Sequence, residues 1–117
     1  MHEFGHIFAD LADEYVDNDY YGSFNFDEEH YPNCDSAGCV EWENITDSSV
    51  GCFGGGQKGA KDGCSLTEYF RPTKTSIMKE LNVNDFGLVN ENIIQEKLDA
   101  YGGPEWKDYF YYWFLFF

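Results

Sequence analysis

The sequence predicts a small α+β chain in which two helical segments bracket an irregular middle held by disulfides. Three observations lead to it. Apolar residues recur at helical spacing over residues 2–11 and again over 90–101. The stretch 31–72 carries Pro32, Gly38, Gly51, Gly54-Gly55-Gly56, Gly59, Gly63 and Pro72, which favour turns over long elements. All four cysteines, Cys34, Cys39, Cys52 and Cys64, fall inside that stretch. A chain of 117 residues suffices for a single domain, residues 1–117, and a domain of this size buries roughly two thirds of its unfolded surface.

The first helix is expected from His2 to about Leu11, with Phe4, Ile7, Phe8 and Leu11 as its apolar face and the histidines on its polar side. From Asp13 to Glu29 the chain is crowded with acidic and aromatic residues, among them Asp17, Asp19, Asp27, Glu28 and Glu29, and reads as an irregular surface loop. Such a loop could wrap Ca2+, although the D-x-D-x-D-G order of an EF-hand is missing. The run Gly54–Gly59 lacks the G-K-[ST] ending of a phosphate-binding loop and is not read as one. A second helix is expected from Asn90, as its cap, to Tyr101, with Ile93, Ile94, Lys97, Leu98 and Tyr101 on one face and Gly102-Gly103-Pro104 as its stop. Residues 109–117 are nine consecutive apolar or aromatic residues, short of the roughly 20 that cross a bilayer. They read as a buried element, the beginning of a truncated span or a reading-frame artefact, and unless they are a span no membrane partner is expected.

Acidic side chains outnumber basic ones 22 to 7, for a formal charge of −15. Nucleic acid is thereby excluded as a partner, because nothing here neutralises phosphates. The charge suits an extracellular protein or one that holds divalent cations, with a solvated acidic surface as the commoner origin of such a balance. An even number of cysteines in a glycine-rich segment favours disulfides and an oxidising compartment. A four-cysteine zinc site competes, but only Cys34 and Cys39 show its C-x₂₋₄-C spacing. Of the three possible connectivities, sequence-neighbour pairing is expected, Cys34 with Cys39 and Cys52 with Cys64. Asn44-Ile45-Thr46 is an N-glycosylation acceptor pattern, consistent with secretion. Functional residues begin at position 2 with no room for a signal peptide before them. The chain is therefore expected to be a fragment of a longer, secreted precursor.

The chemistry starts at His2-Glu3-Phe4-Gly5-His6, an H-E-x-x-H motif. Imidazoles four residues apart stack one turn above the other on one helix face, so both reach one metal ion. Zinc held by two neutral imidazoles and a carboxylate keeps a position for water and lowers that water's pKa. Glu3, one residue after the first ligand, is placed to take the water's proton during attack on a peptide carbonyl. The bland alternative is a pair of surface histidines beside an unrelated glutamate. A third ligand cannot come from a continuing straight helix, where Asp13 would stand about 10.5 Å along the axis from His6. The chain must turn back, and Asp10, Asp13 and Glu14 are the oxygen donors available after such a turn. Each is otherwise an ordinary surface acid, which is the reading preferred for Asp10.

The segment from His2 to Tyr15, HEFGHIFADLADEY, resembles the H-E-x-G-H-x-F-x-x-L-x-D-E-Y signature of the IgA-peptidase family of zinc metallopeptidases. Thr75-Ser76-Ile77-Met78 resembles the S-x-M methionine turn of the metzincin-like zincins, to which that family is similar. Gly51-Cys52-Phe53-Gly54-Gly55-Gly56, Phe70-Arg71-Pro72-Thr73 and Phe86-Gly87-Leu88-Val89-Asn90 also look like family sequence, so the resemblance spans about residues 1–101. It implies the C-terminal portion of a zincin catalytic domain, with Asp13 as third zinc ligand and Met78 as the apolar floor beneath the metal. A plain core methionine is the alternative for Met78. Family sequences usually carry glycine at position 9 or 10, where this chain has Ala9 and Asp10; Asp10 enters a left-handed conformation at modest cost. Zincins also place a sheet upstream of the helix, its edge strand binding substrate, and no such segment is present here.

The function that follows is a secreted zinc metalloendopeptidase acting on protein or peptide, with one catalytic Zn2+ and Glu3 as general base. Tyr15 is a candidate for stabilising the oxyanion, with packing as its commoner role. The alternative is a truncated, catalytically incompetent homologue serving as a disulfide-stapled binding module; a calcium-binding surface domain is a third possibility.

Overall fold

The computed structural model describes residues 1–24, 26, 30–55 and 62–100. Expectations at Asp27, Glu28, Glu29, Gly56–Gly59, Tyr101, the Gly102-Gly103-Pro104 stop and the tail 109–117 lie outside the described residues. Among the described residues there are three α-helices, α1 (His2–Ala9), α2 (Asn18–Tyr21) and α3 (Leu88–Ala100), with a 3₁₀ turn at Val40–Trp42. Among the described residues, β structure consists of isolated bridges: Val16 with Ser65, Asp35 with Phe70, Phe53 with Arg71, and Cys64 with Leu66. The α+β expectation thus holds in its coarse form, as helices and small β-bridges joined by loops and two disulfides.

α1 ends two residues earlier than expected because Asp10 adopts a left-handed conformation, φ 55° and ψ 30°. Short polar side chains tolerate that region better than most, so an aspartate serves where glycine is usual. The Gly5 carbonyl accepts the peptide N–H groups of both Asp10 and Leu11, which closes the helix end. The predicted apolar face is corrected at Ile7, which is 75% exposed. Phe4 and Phe8, one turn apart, stack instead with ring centroids at 5.1 Å and leave Ile7 on the solvent side.

Phe4, Ala9 and Leu11 form one core with Ile77, Met78 and Phe86 and with Ile94 and Leu98 of α3. Gly5 is required there for close approach rather than for backbone freedom. A Cβ on it would meet Met78 Sδ at 2.8 Å, Phe86 at 3.1 Å and Leu11 at 3.2 Å. Gly5→Ala is therefore expected to cost about 1–3 kcal/mol by overpacking. Thermal unfolding checks it: an unchanged midpoint would mean that Met78 yields freely.

α3 begins two residues before the expected cap, and Asn90 lies buried inside it rather than capping. Its amide donates to the Phe86 carbonyl (3.0 Å) and to Glu14 Oε2 (2.6 Å). Glu14 also accepts from Asn33 Nδ2 (2.9 Å) and, on Oε1, from Ser76 Oγ (2.7 Å). Residues 13 and 14 are therefore not part of a surface loop: Asp13 and Glu14 are 8% and 0% exposed. The turn at Asp10 sends the chain inward, and a buried carboxylate is tolerated because donors surround it. Burial nevertheless pushes the Glu14 carboxyl up, against the opposing pull of Asn90, Asn33 and Ser76.

Both disulfides form, but with a different connectivity from the expected one: Cys34–Cys64 and Cys39–Cys52, with Cα separations of 5.5 and 5.8 Å. Sequence-neighbour pairing fails because tertiary packing places the partners. Cys34 and Cys64 are drawn into one core with Ala12 and Tyr21, whereas Cys39 lies in another, with Trp42 and Val89. The adjoining core of Cys39, Trp42 and Val89 is completed by the Trp42 indole N–H donating to the Gly51 carbonyl at 2.8 Å. Two disulfides fit an oxidising, extracellular setting. No helix among the described residues is long and apolar enough to cross a membrane.

Candidate metal centre

His2 and His6 occupy successive turns of α1, with ring centroids 4.5 Å apart and planes at 82°. Their Nε2 atoms face each other at 2.8 Å. The chain that leaves the left-handed turn brings Asp13 back to both: Oδ1 stands 2.8 Å from His2 Nε2 and 3.0 Å from His6 Nε2. Of the three acids available to the turn, only Asp13 converges on the rings. Asp10 faces Lys97 of α3 at 3.6 Å, a partly exposed pair, and Glu14 is engaged in the interior.

The other nitrogen of each ring is committed to a backbone carbonyl. His2 Nδ1 donates to the Ile77 carbonyl at 2.8 Å and His6 Nδ1 to the Leu11 carbonyl at 2.6 Å. A carbonyl only accepts, so each ring carries its proton on Nδ1 and presents a lone pair at Nε2. Three lone-pair atoms therefore meet within 3.0 Å, an arrangement that repels itself unless a cation or a proton sits among them.

These residues fit zinc in donor type, in number and in the carbonyl contacts that orient metal-bound imidazoles. Ligand atoms around a tetrahedral zinc with ~2.0 Å bonds stand about 3.3 Å apart, so the triangle needs to open by only a few tenths of an ångström. In the metal-free chain the Asp13 carboxylate raises the proton affinity of both imidazoles, against the opposing effect of burial. The Asp13 carboxyl is held well below its ordinary range: desolvation pushes it up, but hydrogen bonds from His2, His6 and Tyr21 outweigh that.

Glu3 lies outside the triangle, exposed, and lines the same cavity of about 430 Å³. Much of its remaining wall is aromatic, with Tyr15, Tyr20, Tyr21, His30 and Tyr31 beside Asp10 and Leu11. Tyr15 is 40% exposed and stacks at 6.4 Å on His2, so it is not simply packed away. Met78 is fully buried, with Sδ against Gly5 of α1. The turn that carries it is tied to the centre twice, through the Ile77 carbonyl to His2 and through the Met78 carbonyl to the Glu14 N–H at 2.8 Å. A second cavity, of about 520 Å³, contains Asp47, Asp85 and Glu91. These acids do not converge, and among the described residues His2, His6 and Asp13 alone form a group of metal-donor side chains. Asn44 lies exposed just after the 3₁₀ turn, away from the centre.

Sequence reasoning missed Tyr21, whose hydroxyl holds Asp13, and Ser65, whose Oγ donates to the Asp13 carbonyl at 2.6 Å. No local pattern marks either, since Tyr21 lies eight residues beyond Asp13 and Ser65 comes from the far side of a disulfide. Comparison with protein-family models and with curated proteins finds no match to this chain.

Proposed function

We propose that this chain is the metal-binding, catalytic part of a secreted zinc-dependent peptidase, of the metzincin-like kind that its HExGHxFxxLxDEY segment resembles. One observation supports the reading above all: three unshared lone pairs, on His2, His6 and Asp13, converge while both imidazoles are fixed from behind by carbonyls. His2 Nε2, His6 Nε2 and Asp13 Oδ1 would hold the ion. When bound, zinc supplies Lewis acidity, making water acidic enough to react near neutral pH and polarising a carbonyl. Glu3 is exposed in the cavity and free of the triangle, so its carboxylate takes a proton from the attacking water and returns it to the departing amine nitrogen. The tyrosine wall of the same cavity receives the substrate's side chains, aromatic faces supplying contact area with a polar rim.

Zinc titration across pH tests the reading. The chain is expected to bind one equivalent tightly and to release protons as it does so. The sign follows from the two histidines, whose proton affinities the Asp13 carboxylate raises above that of an ordinary histidine. Protons then compete for Nε2 up to a higher pH than in an unfolded chain, so apparent affinity falls as pH drops through those raised values and levels off above them. Without metal the two histidines contribute stability that is full below an ordinary histidine's value and is lost as pH rises through their raised folded values, whereas the lowered Asp13 carboxyl contributes above the ordinary carboxylate range and loses that contribution in acid. Isothermal titration in two buffers of different ionisation enthalpy reads both affinity and proton release. A chain that takes up no zinc, or takes it up equally after His6→Ala, is not this enzyme.

A further inference from the structure

Asp13 is gripped at two points by a single hydroxyl. Tyr21 Oη donates to Asp13 Oδ2 at 2.8 Å and accepts the Asp13 peptide N–H at 3.1 Å. The tyrosine itself is 3% exposed, at the end of α2. Its ring is wedged among aromatic neighbours, edge-on to Tyr20 at 4.9 Å, Phe26 at 5.7 Å and Tyr31 at 6.1 Å. Behind Asp13 the Ser65 hydroxyl fixes its carbonyl. The carboxylate therefore has one oxygen tied to Tyr21 and the other, Oδ1, directed at the imidazoles.

We propose that Tyr21 is the positioning residue of the metal centre: its hydroxyl locks the Asp13 side chain so that Oδ1 alone meets the ion, and thereby sets metal affinity and coordination number. The proposal rests on the zinc reading of the triad. An aspartate has only two side-chain torsions, and without an anchor on Oδ2 the carboxylate can rotate, withdraw from the imidazoles, or present both oxygens. A second oxygen on the ion would take up the position that water or substrate needs. The hydroxyl closes those options by satisfying Oδ2, and the N–H it accepts ties side chain and backbone of Asp13 to the same point. Outer partners of this kind typically change metal affinity by roughly 10–100-fold when removed. Tyr21 also borders the cavity, but its hydroxyl is engaged with Asp13 and reaches the metal donors only through that residue.

The test is Tyr21→Phe, which keeps the ring in its aromatic setting and removes only the hydroxyl. Zinc affinity by chelator competition is expected to weaken roughly 10–100-fold. Cobalt(II) loaded in place of zinc is expected to show weaker visible bands, as coordination rises above four. A purely structural role would lower the thermal midpoint and leave both metal readouts where they were. Equal affinity and an unchanged cobalt spectrum in a folded Tyr21→Phe chain overturn the proposal. Should that variant not fold, wild-type chain labelled at tyrosine Cζ decides: the Tyr21 resonance shifts on zinc binding if its hydroxyl reports on Asp13, and an unmoved resonance overturns the proposal. Failure of wild-type chain to bind zinc sinks the metal centre itself, a result separate from equal binding by wild type and variant.

Discussion

Glu3→Ala in the zinc-loaded chain is expected to lower peptide hydrolysis by roughly 10²–10⁴-fold while zinc affinity stays at the wild-type level. The separation of the two effects is the point. Glu3 is exposed, lines the cavity with the triad and makes no part of the triangle that His2, His6 and Asp13 form. Its removal therefore leaves the ion's donors, and the carbonyls behind them, as they are. What is lost is a carboxylate able to accept a proton beside the cavity and hand it to a leaving amine. Fluorogenic peptides of varied sequence measure the rate, and chelator competition measures the metal. Unchanged turnover excludes Glu3 as base, and a loss of zinc in parallel with turnover would mean that Glu3 is a ligand rather than a base.

Replacing Cys34 and Cys64 together by alanine is expected to cost roughly 3–4 kcal/mol of stability and to weaken zinc binding as well. The chain-entropy estimate follows from the loop closed by residues 30 apart in sequence. The metal effect is local: both cysteines are fully buried, both sulfurs lie 4.0 Å from the Asp13 carbonyl, and Ser65, which fixes that carbonyl, is the next residue after Cys64. Losing the bond loosens the wall against which Asp13 rests. Cys39–Cys52 serves as the comparison. It closes a loop over 13 residues, and Cys52 is exposed. Replacing that pair also lowers stability but leaves zinc affinity unchanged. Thermal unfolding and zinc titration on the two double variants separate the outcomes, and equal metal affinity in all three proteins would detach the buried disulfide from the centre.

Local physics accounts for what the sequence made legible. His2 and His6 share a helix face because of a spacing of four, and that follows from helix geometry alone. The helix end was legible as a necessity, since a ligand beyond His6 cannot be reached along a straight axis. Four cysteines in a glycine-rich stretch announced disulfides, and α3 was visible in its apolar periodicity to within two residues at its start. Errors fell where long-range contacts decide. Asn90 looked like a cap and is instead a buried donor to Glu14, 76 residues away. Ile7 fits an apolar stripe by spacing yet faces solvent, because the helix leans on Phe4 and Gly5.

By itself the sequence determined the helix that carries two imidazoles and a glutamate, and the presence of cystines. Only the tertiary structure decided which of three acids completes the triangle, which cysteines pair, and that Tyr21 and Ser65 hold Asp13 in place. The division has a physical cause. Periodicity and spacing act within a few residues of chain, whereas the setting of Asp13 after a left-handed turn depends on donors that arrive from elsewhere, a hydroxyl eight residues on and another beyond a disulfide, and the His2 ring is fixed by a carbonyl acceptor 75 residues away.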